Sequence, residues 1–442
     1  MTQITRRSFL AGGLSLSALP YGHSLAAPAN PDVVVIGAGS AGLAAARTLI
    51  ELGKSVVVVE AAGRIGGRAF TESETFGVPF DHGCSWITAA NGNPYLALAK
   101  EWQFELLDHS NAGEAFFVGD RRATSSEQRK YDASWSAVQG ALSKAGRAGL
   151  DVPASTVVPA DLEYAGIAQS WIGPMDWGVD FKDLSTLDNW EAADPNPNLM
   201  IKQGHGAIVS RLGAGLPVKL NTPATGIDWS GKGVEVETSA GTIRAKACIV
   251  TVSTGVLGAS AIKFTPDLPM QKLQAIDNLP MGLLAKIALQ FDGARFGLAP
   301  NHWLTYLVPD EMPAKACYFL TWPFDFDLMI GFVGGEFGWD LSRAGSQAAV
   351  DFALGQVVKL VGSSAKDRFV KGHLTSWAGN PLTRGAYAAA RPGHYGARAE
   401  LARPVGDRVF FAGEAVAGAY VALCGGAYLS GQAVARNAAA VT

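Results

Sequence analysis

Cysteine is scarce: Cys84, Cys248, Cys317 and Cys424 are the only four in 442 residues, and no two form a C-x-x-C pair. That excludes a disulfide-dense scaffold and a cysteine-paired zinc module. The seven histidines contain no H-x-x-x-H or H-E-x-x-H spacing, so the expectation is that no metal is bound. Cys248 and Cys317 stand in apolar, strand-like runs and read as buried free thiols. Long hydrophobic runs are missing too. No stretch reaches the ~18 unbroken apolar residues of a membrane-spanning helix, so none is expected. Charge of one sign is not in excess, with 36 basic against 39 acidic residues and a net charge of −3, and no basic run suggests nucleic acid binding.

Glycine is plentiful. The 52 glycines sit in a chain that is 48% apolar, which suits tight turns and close backbone packing better than disorder. The N-terminus reads apart from the rest. Thr5-Arg6-Arg7-Ser8-Phe9-Leu10, a weak apolar stretch and small residues near Ala26–Ala29 resemble a twin-arginine export signal over residues 1–29. The expected location is therefore periplasmic or secreted, where a disulfide is a chemical alternative to free thiols.

Asp32-Val33-Val34-Val35-Ile36 has the continuous apolar character of a buried parallel strand. It enters Gly37-Ala38-Gly39-Ser40-Ala41-Gly42, then an Ala/Leu-rich helical stretch, then a second strand, Ser55–Val59, ending at Glu60. A G-x-G-x-x-G is weak evidence alone. Between strand and helix, answered by an acid after the next strand, it predicts dinucleotide binding. The glycines admit a pyrophosphate close to the backbone, free N–H groups at the helix start favour its charge, and Glu60 can accept from a ribose. Segment 91–201 predicts helices from Pro94 and over 126–145, then an aromatic-rich stretch broken by Gly and Pro (Trp171, Trp177, Phe181, Trp190). Strands follow over 286–291, 317–321 and 329–333, with helices over 269–279 and 346–360. The tail returns to the opening style, with a strand Arg408–Ala412, Gly413-Glu414, and a small-residue helix from about Gly425.

Glu60-Ala61-Ala62-Gly63-Arg64-Ile65-Gly66-Gly67-Arg68 resembles the second glycine motif of the flavin-containing amine oxidases, and Asp81-His82-Gly83-Cys84-Ser85-Trp86 their next flavin-contacting turn. Val252–Leu257, Leu284–Leu289 and Ser376–Pro381 resemble the polyamine oxidase and lysine-specific histone demethylase branch. Phe411-Ala412-Gly413-Glu414 with Gly426–Gly431 is similar to the family's C-terminal flavin signature. The resemblance covers about 32–440. It implies an α/β fold: a discontinuous Rossmann-like, glutathione-reductase-type FAD domain (30–90, 202–260, 372–442) and an α+β substrate domain with a mixed sheet (91–201, 261–371).

The resemblance also implies roles. Gly37, Gly39, Ser40, Ala41, Gly42, Glu60, Arg64, Gly67 and Arg68 would hold the dinucleotide, with Arg68 as a fixed forked cation. Ser85 and Trp86 would contact the flavin, and Ala224 the adenine. Glu414 would meet the ribityl–pyrophosphate region, Leu423 and Cys424 would lie beside the isoalloxazine, and Trp377 would pack near it. Lys286 would hold a water near flavin N5, against the alternative of an outward-facing strand lysine. Tyr387 would form one wall of an aromatic amine cage; the other wall falls at Leu423, with Tyr420 as a nearby substitute. Alanine stands at Ala386, where monoamine oxidases attach flavin to a cysteine, so FAD is expected to be non-covalent. Thr88 stands where polyamine oxidases often place a side chain that meets a distal ammonium, with Asp180, Asp325 and Asp327 as alternative acids.

The implied activity is oxidation of a primary or secondary amine at FAD, with O₂ as electron acceptor. A dehydrogenase passing electrons to a quinone or carrier protein is the alternative, as is a non-catalytic flavin-binding module. No feature specifies an oligomeric state.

Overall fold

The computed structural model describes residues 30–309 and 315–442. The expected signal, 1–29, lies outside the described residues. A five-stranded parallel sheet runs in the order Val218–Lys219, Val56–Val59, Val33–Ile36, Ala247–Val250, Val409–Phe411. Its central strands are apolar at every position because both faces are covered. Val33 and Val35 enter a core with helices Ser40–Glu51 and Cys424–Ala440, while Val34 and Ile36 enter the opposite core, beneath a four-stranded sheet built from 224–265. Alternation along each strand thus serves two cores at once.

A second, seven-stranded sheet has the order Phe369–Leu374, Leu284–Phe291, Leu328–Gly334, Tyr318–Thr321, His302–Tyr306, Glu114–Val118, Arg121–Arg122. It is mixed, since Glu114–Phe117 pairs parallel to Trp303–Tyr306 while its other neighbours run antiparallel. The boundary expected between 371 and 372 falls inside its first strand. Helix Ser346–Val361 buries Ala349, Val350, Ala353 and Val357 in the core of this sheet. Helix Ser125–Arg147 starts at a capping box, with Thr124 and Glu127 satisfying each other's backbone N–H.

Two small sheets stitch the halves together. Met281–Gly282 pairs with Tyr387–Ala388, and Leu199–Ile201 pairs with both Trp86–Ile87 and Leu106–Asp108. The aromatic stretch begins as one widened turn, Trp171–Trp177, with Pro174 inside it. Proline supplies no N–H to an α-helical ladder, and such π-type turns recur at functional sites.

Candidate active site

The first glycine turn owes its shape to steric exclusion. Gly37 has φ +104°, which side-chain-bearing residues avoid, and a Cβ on Gly42 would lie 1.9 Å from the Gly37 carbonyl oxygen. The second turn packs directly on the first: Gly66 N–H donates to the Ala38 carbonyl at 2.8 Å, and a Cβ on Gly67 would come within 3.3 Å of Gly39 Cα. Helix Ser40–Glu51 then begins with no side chain capping its first turn, which leaves N–H groups for an anion. Glu60 is buried and accepts from Ala38 N–H at 2.7 Å and Ala62 N–H at 2.8 Å. A carboxylate offers about four acceptor positions, so capacity remains for ribose hydroxyls.

These turns open one elongated cavity with about 1940 Å³ of space unfilled by protein atoms. Gly37, Gly39, Ser40, Ala41, Glu60, Arg64, Gly67 and Arg68 line it near the glycine turns; Ala224, Ser85, Trp86, Lys286, Trp377, Tyr387, Glu414, Leu423 and Cys424 line the rest. The expected site residues therefore converge from the whole length of the chain. Gly42 stands apart: its missing side chain serves the packing of helix against strand.

Inside the cavity the charges are arranged more tightly than sequence reasoning supposed. Arg68 is expected to present a fixed forked cation to the dinucleotide. One nitrogen of its guanidinium donates to Glu414 Oε1 and to the Ala386 carbonyl, both at 2.8 Å, which holds the fork in place. Glu414 also accepts from Ala388 N–H at 3.2 Å. Arg64 donates to the Gly67 and Ile65 carbonyls and lies 4.0 Å over the Phe70 ring. Burial holds its pKa below the usual value, with Glu60 pulling the other way. Trp377 donates its indole N–H to the His82 carbonyl at 2.7 Å and is buried against the cavity wall.

Lys286 is buried in strand Leu284–Phe291, which removes the alternative of an outward-facing lysine. Its ammonium donates to the Asp81 carbonyl at 2.8 Å, the Gly83 carbonyl at 2.5 Å and Ser85 Oγ at 2.6 Å. Burial pushes its pKa down to about 8. All three N–H bonds are occupied, so a water held by Lys286 must displace one of them.

Tyr387 reaches the Met175 carbonyl at 3.4 Å, a weak hydrogen bond that leaves its ring as a cavity wall. Tyr420 does not supply the opposite wall, because its hydroxyl packs against Gly92. The other aromatic lining residues are Trp86, Phe332 and Trp377, and Trp303 stacks behind Trp86 at 6.0 Å.

Thr88 is turned to Asn198 at 3.2 Å. Of the alternative acids, Asp325 and Asp327 form ion pairs with Arg295, and Asp180 accepts from Glu336 N–H at the start of helix Gly335–Ala344. Sequence reasoning passed over Asp176, in the widened turn next to Met175. Its side chain remains accessible, yet protein surrounds it closely enough that burial alone raises its pKa to about 7, and its charge bears on Tyr387 and Tyr131. No periodicity in 171–177 could have indicated which way it points.

The parallel sheet, the paired glycine turns and the extended cavity define a dinucleotide-binding protein of the α/β class. Comparison with known proteins narrows this. Residues 40–156 and 175–439 match the family described as flavin containing amine oxidoreductase, and the chain belongs to that family. It is an enzyme acting on CH–NH groups, and its cofactor is FAD. The chain is 31% identical to polyamine oxidase 4 of Oryza sativa subsp. japonica, over 97% of this chain and 92% of that one. It is 28% identical to lysine-specific histone demethylase 1 homolog 1 of the same plant, over 92% of this chain, and spans about half (52%) of that longer protein. Among solved structures, cyclohexylamine oxidase from Brevibacterium oxydans IH-35A superposes with a TM-score of 0.76 at 24% identity, covering 93% of this chain and 99% of that one. Putrescine oxidase with putrescine bound gives a TM-score of 0.76 at 20% identity, covering 92% and 98%.

Proposed function

We propose that the protein is an amine oxidase that converts a primary or secondary amine to an imine, which hydrolyses to an aldehyde or ketone, with O₂ consumed and hydrogen peroxide formed. Bound FAD would supply the two-electron oxidation of the amine α-carbon, and the residues lining the cavity would hold it there. The observation that carries this reading is the single cavity running from the glycine turns to Lys286, Tyr387 and an aromatic lining.

The chain's own residues then have distinct tasks. The glycine turns and the start of helix Ser40–Glu51 hold phosphate, and Glu60 meets a ribose. The Arg68–Glu414 pair fixes the wall beside Ala386, whose methyl group cannot form a thioether, so FAD is held without a covalent bond. Acid precipitation is expected to release all the flavin. Tyr387, Trp86 and Phe332 orient the amine and exclude water, while Asp176 attracts its cationic form. Lys286 fixes the 81–85 turn and sets the local positive charge. The polyamine oxidase relative and the putrescine-bound structural neighbour support an amine substrate.

The test is anaerobic titration with mono-, di- and polyamines, followed at the flavin absorption band. Bleaching by at least one amine is expected. Failure with every amine would overturn the reading in favour of a flavin-binding module. Bleaching followed by turnover with a quinone but no peroxide would replace the oxidase by a dehydrogenase. We also propose export through the paired arginines; periplasmic activity that persists in the Arg6→Lys, Arg7→Lys double variant would contradict it.

A further inference from the structure

Cys84, His205 and Cys424 come together from three distant parts of the chain. Cys84 lies in the turn after strand Phe80–Asp81; His205 and Cys424 each open a helix, His205–Leu212 and Cys424–Ala440. Their two sulfurs and an imidazole nitrogen all lie within 4.8 Å of one another. The sulfurs line the flavin cavity, while His205 is completely buried behind them.

His205 carries the argument. Neither of its ring nitrogens makes a well-formed hydrogen bond, although the Cys424 sulfur and the Trp86 backbone face the ring. Leaving a buried imidazole so poorly satisfied is costly, and the cost falls on a side chain held firmly in place. The Asp81 carboxylate accepts from the His205 backbone N–H at 2.9 Å, and Tyr95 packs edge-on to the ring at 5.2 Å. Ser40 ties the third element in, donating to the Cys424 carbonyl at 2.8 Å and sharing a 2.8 Å hydrogen bond with the Tyr95 hydroxyl.

We propose that Cys84 Sγ, Cys424 Sγ and one ring nitrogen of His205 bind a single thiophilic d¹⁰ cation, Zn(II) or Cu(I), beneath the flavin cavity. Two thiolates and an imidazole are the donor set such ions select. Bonds of ~2.3 Å to sulfur and ~2.0 Å to nitrogen place donors ~3.5–4 Å apart, so closure takes side-chain shifts of about 1 Å or less. Hydrogen bonding from Cys84, with His205 nearby, holds the Cys424 thiol well below its ordinary pKa, whereas the same contact raises Cys84, whose proton the incoming ion must displace. Binding forms two S–metal bonds and one N–metal bond; it releases any thiol proton held by Cys84 and Cys424 and, where the ring is doubly protonated, one proton of His205, which stays a neutral imidazole with one N–H, and no oxidation state changes. The ion would pin the 81–85 turn to both helices.

The experiment uses flavin-loaded protein, reduced with a phosphine under anaerobic conditions, given one equivalent of Zn(II) or Cu(I) and desalted against a weak chelator. Elemental analysis should find about one ion per chain, and X-ray absorption at the metal edge should show two sulfur neighbours. Cys84→Ser and Cys424→Ser should each weaken retention by at least 100-fold, whereas Cys248→Ala, in the parallel sheet, should keep it. Fewer than two sulfur neighbours in the unmodified protein, or no retained ion, would overturn the proposal, whether or not the serine variants fold. So would a Cys84–Cys424 disulfide, found by alkylation and mass spectrometry, whose reduction yields no uptake.

Discussion

Lys272 and Lys286 are built alike and placed differently. Both are buried, each ammonium donates to three oxygens, and burial lowers each pKa to about 8. Lys272 donates to the carbonyls of Glu400, Leu401 and Arg403, at the end of helix Ala397–Ala402, and sits 4.7 Å over the Phe411 ring. The Leu401 and Arg403 carbonyls belong to the acceptors that a helix leaves open at its C-terminus, while the Glu400 carbonyl also accepts from Arg403 N–H at 3.3 Å. Lys286 binds the turn over 81–85 and faces the cavity. A perturbed lysine thus signals only that a charge has been buried and satisfied. Its surroundings decide whether the charge serves folding or chemistry.

The comparison can be broken by experiment. Lys272→Met should cost the most stability, about 2–3 kcal/mol, because it strands buried carbonyls. Thermal unfolding should show the loss while the rate per bound flavin stays at the parent value; a parallel fall in rate would erase the distinction. The pH dependence sharpens it. In the folded state each lysine gives up its proton near pH 8, but in the unfolded chain only near 10.5. Between those values the unfolded state binds more protons, so stability rises with pH through this window, and less so in Lys272→Met.

Lys286→Met should fold, bind FAD and lose about tenfold or more in stopped-flow flavin reduction or reoxidation, ~1.4 kcal/mol of barrier. Unchanged rates would reduce Lys286 to a second Lys272. The smallest effect is expected for Asp176→Asn. Loss of a partly accessible carboxylate should raise the amine KM several-fold, about 1 kcal/mol, with little change in kcat. It should also remove a limb near pH 7 from the kcat/KM profile, above which the parent carboxylate is charged. A parent profile flat through pH 7 would take Asp176 out of amine recognition.

Much of the cofactor half was legible because its glycines act through local backbone geometry. Gly37 is required by its own positive φ and Gly42 by the Gly37 carbonyl close before it, both local signals, and Val33–Ile36 advertises a strand covered on both faces. Lys286 was legible as a lysine out of place in an apolar strand, but not as one whose three bonds are already made. The parallel pairing of Glu114–Val118 with His302–Tyr306 left no local trace, since its partners are far apart in sequence. For the same reason no spacing rule could detect Cys84, His205 and Cys424. Asp176 escaped because a proline-broken turn has no repeat from which to infer a face.

The phosphate-cradling helix Ser40–Glu51 packs along the terminal helix Cys424–Ala440, so closely that a Cβ on Gly431 would meet the Ala41 carbonyl oxygen at 2.1 Å. During translation the earliest-made part of the cradle must therefore wait for the latest-made. Nucleotide capture must follow synthesis of both helices, and the yellow colour of the protein would report that two segments distant in sequence have met.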